Sequence, residues 1–243
     1  MPQEALNRPI RRLGVVPPQS GSPSVGLVTD IRIVHMTPEL AVFWQNNCQP
    51  LIDNNYHRAA EGVPWERTRA DVGWNWYDNW TMAALHSIWC QRRGTGDALA
   101  LCMVLDSHAQ RDIPIGMLTV VPRFFTDALG ERRLRTFAWY LADAPREYFE
   151  SLGRQTVKGI ARTLVDCALQ AGYDDGQDGT LLLHADPNGG RKLTEFYRDR
   201  LKMTQLPPNS PRVSALRFAK SEEHFHWDAA ESGRFCAASD PLR

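Results

Sequence analysis

The stretch Thr156-Val157-Lys158-Gly159-Ile160-Ala161-Arg162 opens a run of apolar residues at helical spacing. A helix start carries backbone N–H groups without intrahelical partners and the positive end of the helix dipole. Gly159 and Ala161 are small, so a pyrophosphate can approach the backbone closely there, with Lys158 and Arg162 adding charge. Close packing of this helix on a sheet would explain the same two small residues. Groups of acid–base type fall at or just beyond the ends of expected strands: Asp143, His184 and Asp186. Each also has a plain structural role, Asp143 in a turn before Ala-Pro and His184 as a satisfied buried histidine. Tyr197 lies on the apolar face of a later helix, and Asn188 sits in the loop before it, where Asn ahead of Gly-Gly is a common turn choice. His224, His226 and Cys236 are of types that bind zinc, but no second close pair accompanies them, so no metal is expected.

The elements that must hold these groups follow from periodicity. A strand fits Val28–His35, and Thr37 followed by Pro38 and Glu39 is a capped helix start. A second helix is expected over Trp80–Gln91, then strands at Ala98–Leu105, Ile115–Val121 (ended by Pro122) and Thr136–Ala142. Val157, Ile160, Ala161, Leu164, Val165, Ala168 and Leu169 recur at helical spacing, with Gly172 as the expected cap. A strand at Thr180–His184 returns, which makes a crossover with two parallel strands. Leu193, Phe196, Tyr197 and Leu201 give another amphipathic helix, and a last strand fits Val213–Phe218. The fold class is α/β: a mixed, mainly antiparallel sheet flanked by helices, with a parallel strand pair at its centre.

This order of elements resembles the GNAT superfamily of acyl-coenzyme A dependent N-acyltransferases. The family signature is Arg or Gln, two residues, Gly, any residue, then Gly or Ala; here it looks like Thr156-x-x-Gly159-x-Ala161. An aromatic-Tyr pair in a following helix matches Phe196-Tyr197. The resemblance spans roughly residues 26 to 218 in element order. It implies acetyl-CoA as acyl donor and no metal. It places the cofactor on the strand edge Leu141, Ala142 and Asp143, on Val157, Lys158, Gly159, Ile160, Ala161 and Arg162, and beside Asn188. Tyr197 would protonate the departing thiolate, and Asp143, His184 and Asp186 are the candidates for the base, with Asp143 carried forward. Thr156 departs from the signature, and the insertion at 145–155, with Tyr148 and Phe149, separates strand from motif. That insertion either covers the cofactor or is a surface excursion. The Trp74–Trp80 run, with Asp78, lies where the family builds its acceptor pocket, although a core cluster is the commoner fate of such aromatics.

Composition narrows the partners. The 243 residues carry 28 Lys+Arg and 28 Asp+Glu, so no basic excess favours a polyanionic partner, and nucleic acid is disfavoured. No apolar run is long enough to span a membrane. Five cysteines without a close pair suit a reducing compartment, so a cytoplasmic location is expected, with secretion as an effector as the alternative. Residues 1–24 read as a flexible leader, 25–219 as the acyltransferase domain and 220–243 as a polar C-terminal tail or extension whose structure the sequence leaves open. The expected activity is acetyl transfer from acetyl-CoA to a primary amine by direct attack in a ternary complex. The acceptor is a small molecule or a protein, and a homodimer is left open. The rivals are an effector or toxin acting on a target protein and a silent module that binds a protein partner.

Overall fold

The computed structural model describes residues 8–16, 28–90, 95–105, 112–211, 213 and 220–243. Nine strands form one sheet: β1 (Arg12–Val16), β2 (Val28–His35), β3 (Leu99–Leu105), β4 (Ile113–Thr126), β5 (Arg133–Asp143), β6 (Thr156–Val157), β7 (Leu181–His184), β8 (Thr204–Gln205) and β9 (His224–Trp227). Their order across the sheet is β6-β1-β2-β3-β4-β5-β7-β9-β8. The pairings are antiparallel except β5 with β7, which run parallel in the register Thr136↔Leu181, Phe137↔Leu182, Ala138↔Leu183. This is the mixed, largely antiparallel α/β architecture expected, with the parallel pair near the middle.

Seven α-helices flank the sheet among the described residues: α1 (Pro38–Asn47), α2 (Gln49–Asn55), α3 (Trp76–Cys90), α4 (Arg146–Ser151), α5 (Ile160–Asp174), α6 (Gly190–Glu195) and α7 (Ala229–Ser239). The Thr37 hydroxyl caps α1 by accepting from the Leu40 N–H at 3.3 Å, as its spacing predicts. The α5 face carrying Ile160, Leu164, Val165, Ala168 and Leu169 is buried, and it packs across β4 and β5. Gly116 on β4 permits that approach: a Cβ there would meet Ile160 Cγ2 at 2.8 Å.

Several expectations change. Arg12–Val16, inside the stretch expected to be a flexible leader, is a strand whose Leu13 and Val15 are buried. Alternation of side chains, with one apolar face, is enough for a short strand between β6 and β2 even in a Pro-rich neighbourhood. The rest of that leader is only partly within the described residues. Pro122 does not end β4, which runs on to Thr126; the register with β5 shifts between Val121 and Phe124, and such an irregularity accommodates proline. Gly172 is not the cap of α5. It lies inside the helix, where a Cβ would stand 2.0 Å from Thr136 Oγ1, so it is a close-packing glycine. The helix stops later, and Gly176 takes the left-handed turn at φ 78°. The segment 220–243, left open as a tail or an extension, carries β9, which joins the sheet, and α7, which packs on α5. Most of the strand expected at Val213–Phe218 lies outside the described residues.

Candidate active site

The centre of the sheet opens where β5 and β7 part. Their pairing ends at Ala138↔Leu183. On the other side of β5, Thr119 pairs Tyr140 while Val120 pairs Ala138, so Trp139 is an extra, bulged residue. The bulge reverses which backbone groups face β7. Before it, the Thr136 N–H donates towards β7, to Thr180 O at 3.1 Å. Beyond it, the Tyr140 N–H donates to Thr119 Oγ1 (3.1 Å) and the Ala144 N–H to Ile115 O (2.9 Å), both on β4. Leu141 and Asp143 therefore turn their backbone groups to the open edge. Both line a cavity of about 630 Å³ that fills the gap; Ala142, of opposite parity, is buried and does not.

The start of α5 forms one side of this cavity through Gly159, Ile160, Ala161 and Arg162. The first intrahelical bond is from the Thr163 N–H to Gly159 O (2.9 Å), so the N–H groups of Ile160, Ala161 and Arg162 have no intrahelical acceptor. Gly159 has φ 86°, a left-handed conformation that most residues adopt only under strain. β6 pairs with β1 just before it, and the Lys158 N–H donates to Gly14 O at 2.9 Å. The N-terminal strand thus braces the loop that aims α5. Lys158 and Val157 are committed to that brace and do not line the cavity.

Tyr197 enters from the opposite side. It lies in a π-helical turn, Phe196–Arg200, closed by the Leu201 N–H on Phe196 O at 3.0 Å. Such one-turn insertions re-aim side chains and often accompany functional sites. The Tyr197 ring packs on Phe196 and Phe225, while the residue lines the cavity. Its hydroxyl makes no hydrogen bond with the described residues. Burial, reinforced by the Asp143 and Asp71 carboxylates, raises its pKa, so the group is a neutral phenol that retains its proton.

The remaining wall is built by the segment between α2 and α3. Buried Gln49 donates to Asp71 O (2.8 Å), and the His57 N–H to Arg67 O (3.0 Å), which fix its path. Arg69 holds three groups together. Its Nε and Nη2 donate to the Asp71 carboxylate at 2.8 and 2.7 Å, and Nη2 also meets Asp143 O at 2.7 Å and Asp143 Oδ1 at 3.0 Å. Those two carboxylates raise the Arg69 pKa despite burial. Trp74 stacks edge-on against Tyr140 (5.1 Å, 81°), and Trp65 is exposed at the rim. Lys192 of α6 donates to Glu66 O (2.8 Å) and sits 5.6 Å from the Tyr56 ring centre, with Arg69 at 5.3 Å from the same ring. Burial, with Arg69 nearby, lowers the Lys192 pKa.

The structure gathers Leu141, Asp143, Gly159, Ile160, Ala161, Arg162 and Tyr197 from the expected site, together with His184 and Asp186. Val157, Lys158, Ala142 and Asn188 stay outside it. Asn188 N–H donates to Asp186 Oδ1 (2.9 Å) and its carbonyl accepts from Ala59 N–H (2.7 Å), a turn role for both residues. The Trp-rich run divides: Trp76 is core, Trp74 faces the cavity, and Asp78 is exposed away from it. Tyr148 and Phe149 of the insertion are buried, Tyr148 against Trp44 and Phe149 against Tyr148, and neither lines the cavity. No cluster of three or more metal-binding side chains occurs among the described residues, and none of their helices is long and apolar enough to cross a membrane. Arg69, Asp71 and Lys192 carried no motif. The one signal for them was a charged pair two residues apart, Arg69 and Asp71, beside the tryptophans.

No family model and no curated protein matches this sequence. Two solved structures are similar at low identity. One is the crystal structure of the KacTA–DNA complex, 13% identical over 86% of this chain and 99% of that one, with a TM-score of 0.44. The other is the ribosomal-protein-S5-alanine acetyltransferase from Vibrio fischeri, 10% identical over 81% of this chain and 90% of that one, with a TM-score of 0.41. Likenesses this distant say nothing about chemistry.

Proposed function

We propose that the protein is a GNAT-type N-acetyltransferase that moves an acetyl group from acetyl-CoA to a primary amine by direct attack in a ternary complex. One observation carries the reading. The gap opened by the Trp139 bulge, the partnerless N–H groups at the start of α5 and the Tyr197 phenol all meet in a single cavity.

The residues fit the donor. Ile160, Ala161 and Arg162 offer amides to a pyrophosphate, and Gly159 gives the loop its turn. The open edge at Leu141 accepts the pantetheine arm as a strand accepts a neighbour, up to Asp143, whose carbonyl Arg69 already holds. The N–H of Leu141 faces the same gap and would stabilise the oxyanion formed when an amine adds to the thioester. The neutral Tyr197 phenol donates a hydrogen bond to the departing thiolate, stabilising the charge as it develops on sulfur. The Asp143 carboxylate, one oxygen of which is on Arg69, attracts an incoming ammonium beside the Trp74 and Tyr140 rings. The acceptor is a small molecule or a protein amine.

Thioester turnover against a panel of primary amines tests the reading. Release of coenzyme A that depends on the amine supports it. A protein that binds acetyl-CoA and turns over no amine is a silent module instead.

A further inference from the structure

Lys192 is a cation with no part in acetyl transfer itself. It stands on α6, and its Nζ reaches across to the segment before α3, where it donates to Glu66 O at 2.8 Å. Lys192, Glu66 and Arg69 all line the cavity, so the ammonium is held in its wall. The Tyr56 ring backs it at 5.6 Å and carries the Arg69 guanidinium at 5.3 Å.

The two cations differ in their counter-charge. Arg69 is paired with Asp71 through two bonds and with Asp143 through a third. Lys192 makes no ion pair with the described residues: its one hydrogen bond goes to a neutral carbonyl, which leaves N–H groups of the ammonium to spare. A half-buried lysine is seldom kept without a counter-charge. Burial, with Arg69 alongside, disfavours its charged form, so an anion brought to it gains more than at an exposed lysine. On the same wall Asp143 has the opposite surplus. Its Oδ1 meets Arg69, its Oδ2 has no partner among the described residues, and its side chain is 42% exposed. Arg69 touches both places, through Asp143 and through the ring it shares with Lys192.

We propose that the acceptor is a small amine that also carries a carboxylate, an amino acid whose ammonium meets Asp143 and whose carboxylate meets Lys192. The inference rests on the acetyl-transfer reading and narrows its acceptor. The amine nitrogen bonds to the thioester carbonyl carbon and the C–S bond breaks. Of the two protons the ammonium loses, one ends on the coenzyme A thiol and one in solvent. The product is an N-acetyl amino acid. It has lost its positive charge and with it the attraction to Asp143, which favours release.

The test uses two matched pairs of acceptors that differ by the carboxylate: L-phenylalanine with phenethylamine, and 5-aminopentanoate with butylamine. In at least one pair, wild-type kcat/KM favours the carboxylate-bearing member by about 10-fold or more. Lys192→Gln keeps an N–H for Glu66 O while removing the charge, and a thermal melt checks its fold. It lowers the ratio within that pair by about 10-fold or more, and Lys192→Arg retains part of the preference. A purely structural strap between α6 and Glu66 would lower both members of a pair together and leave the ratio as it was. Absence of acetyl-CoA binding to the wild type, read by calorimetry, sinks the acetyl-transfer reading itself. With binding intact, three results overturn the acceptor assignment alone: no preference for the carboxylate in either pair, transfer to none of the four compounds, or a ratio that Lys192→Gln does not change.

Discussion

One wall of the cavity is backbone and the other is side chain. The first is the edge of β5 beyond its bulge and the start of α5, where a ligand would meet N–H and C=O groups held by strand pairing and one left-handed glycine. The second is the Thr68–Trp74 stretch with Lys192, where a guanidinium, two carboxylates and stacked rings hold one another. A backbone wall tolerates changes of side chain but not of local conformation. A side-chain wall is the reverse: its path depends on partners distant in sequence, and removing one leaves another buried without compensation.

That contrast orders the expected effects. Arg69→Met strips the counter-charge from Asp71, whose side chain is 5% exposed, and should cost about 3–5 kcal/mol in urea unfolding. A loss below about 1 kcal/mol would mean the ion pair does not hold this wall. Gly159→Glu strikes the backbone wall by forcing a side chain onto φ 86° and placing a negative charge at the phosphate position. Its acetyl-CoA affinity should fall at least about 100-fold, roughly 2.7 kcal/mol, while the strain at φ 86° costs about 1–2 kcal/mol of stability and lowers the melting temperature by a few degrees. Gly172→Ala tests whether α5 is seated by close approach to β5. A Cβ 2.0 Å from Thr136 Oγ1 should cost about 1–3 kcal/mol of stability, and adding Thr136→Ala should restore part of it. Tyr197→Phe should leave both walls standing: kcat falls about 10-fold while acetyl-CoA affinity stays the same. Normal turnover would remove Tyr197 from the mechanism.

The same contrast explains what the residues disclosed in advance. The backbone wall was legible because it is local: Gly159-x-Ala161 at a helix start, the strand TFAWYLA and the apolar stripe of α5 each write their conformation over a few residues. Even there, parity was not legible. The Trp139 bulge decides that Leu141, and not Ala142, faces the gap, and nothing in an aromatic-rich strand announces a bulge. Nor was the brace from β1, which sits in a Pro-rich stretch and is joined to the loop before α5 only by pairing with β6. The side-chain wall was almost wholly hidden. Arg69 meets Asp143 74 residues away, across a contact that no periodicity reveals. Gly172 was misread because a glycine near a helix end suggests a cap, whereas its cause is a threonine on another strand.

The central claim is that the start of α5 and the open edge of β5 form a donor site for acetyl-CoA. Isothermal titration of the wild type and of Gly159→Glu with acetyl-CoA tests it most directly. The account predicts saturable one-to-one binding to the wild type and at least about 100-fold weaker binding to the variant, which remains folded. No heat of binding to the wild type at millimolar acetyl-CoA, or equal affinity in the two proteins, would contradict it.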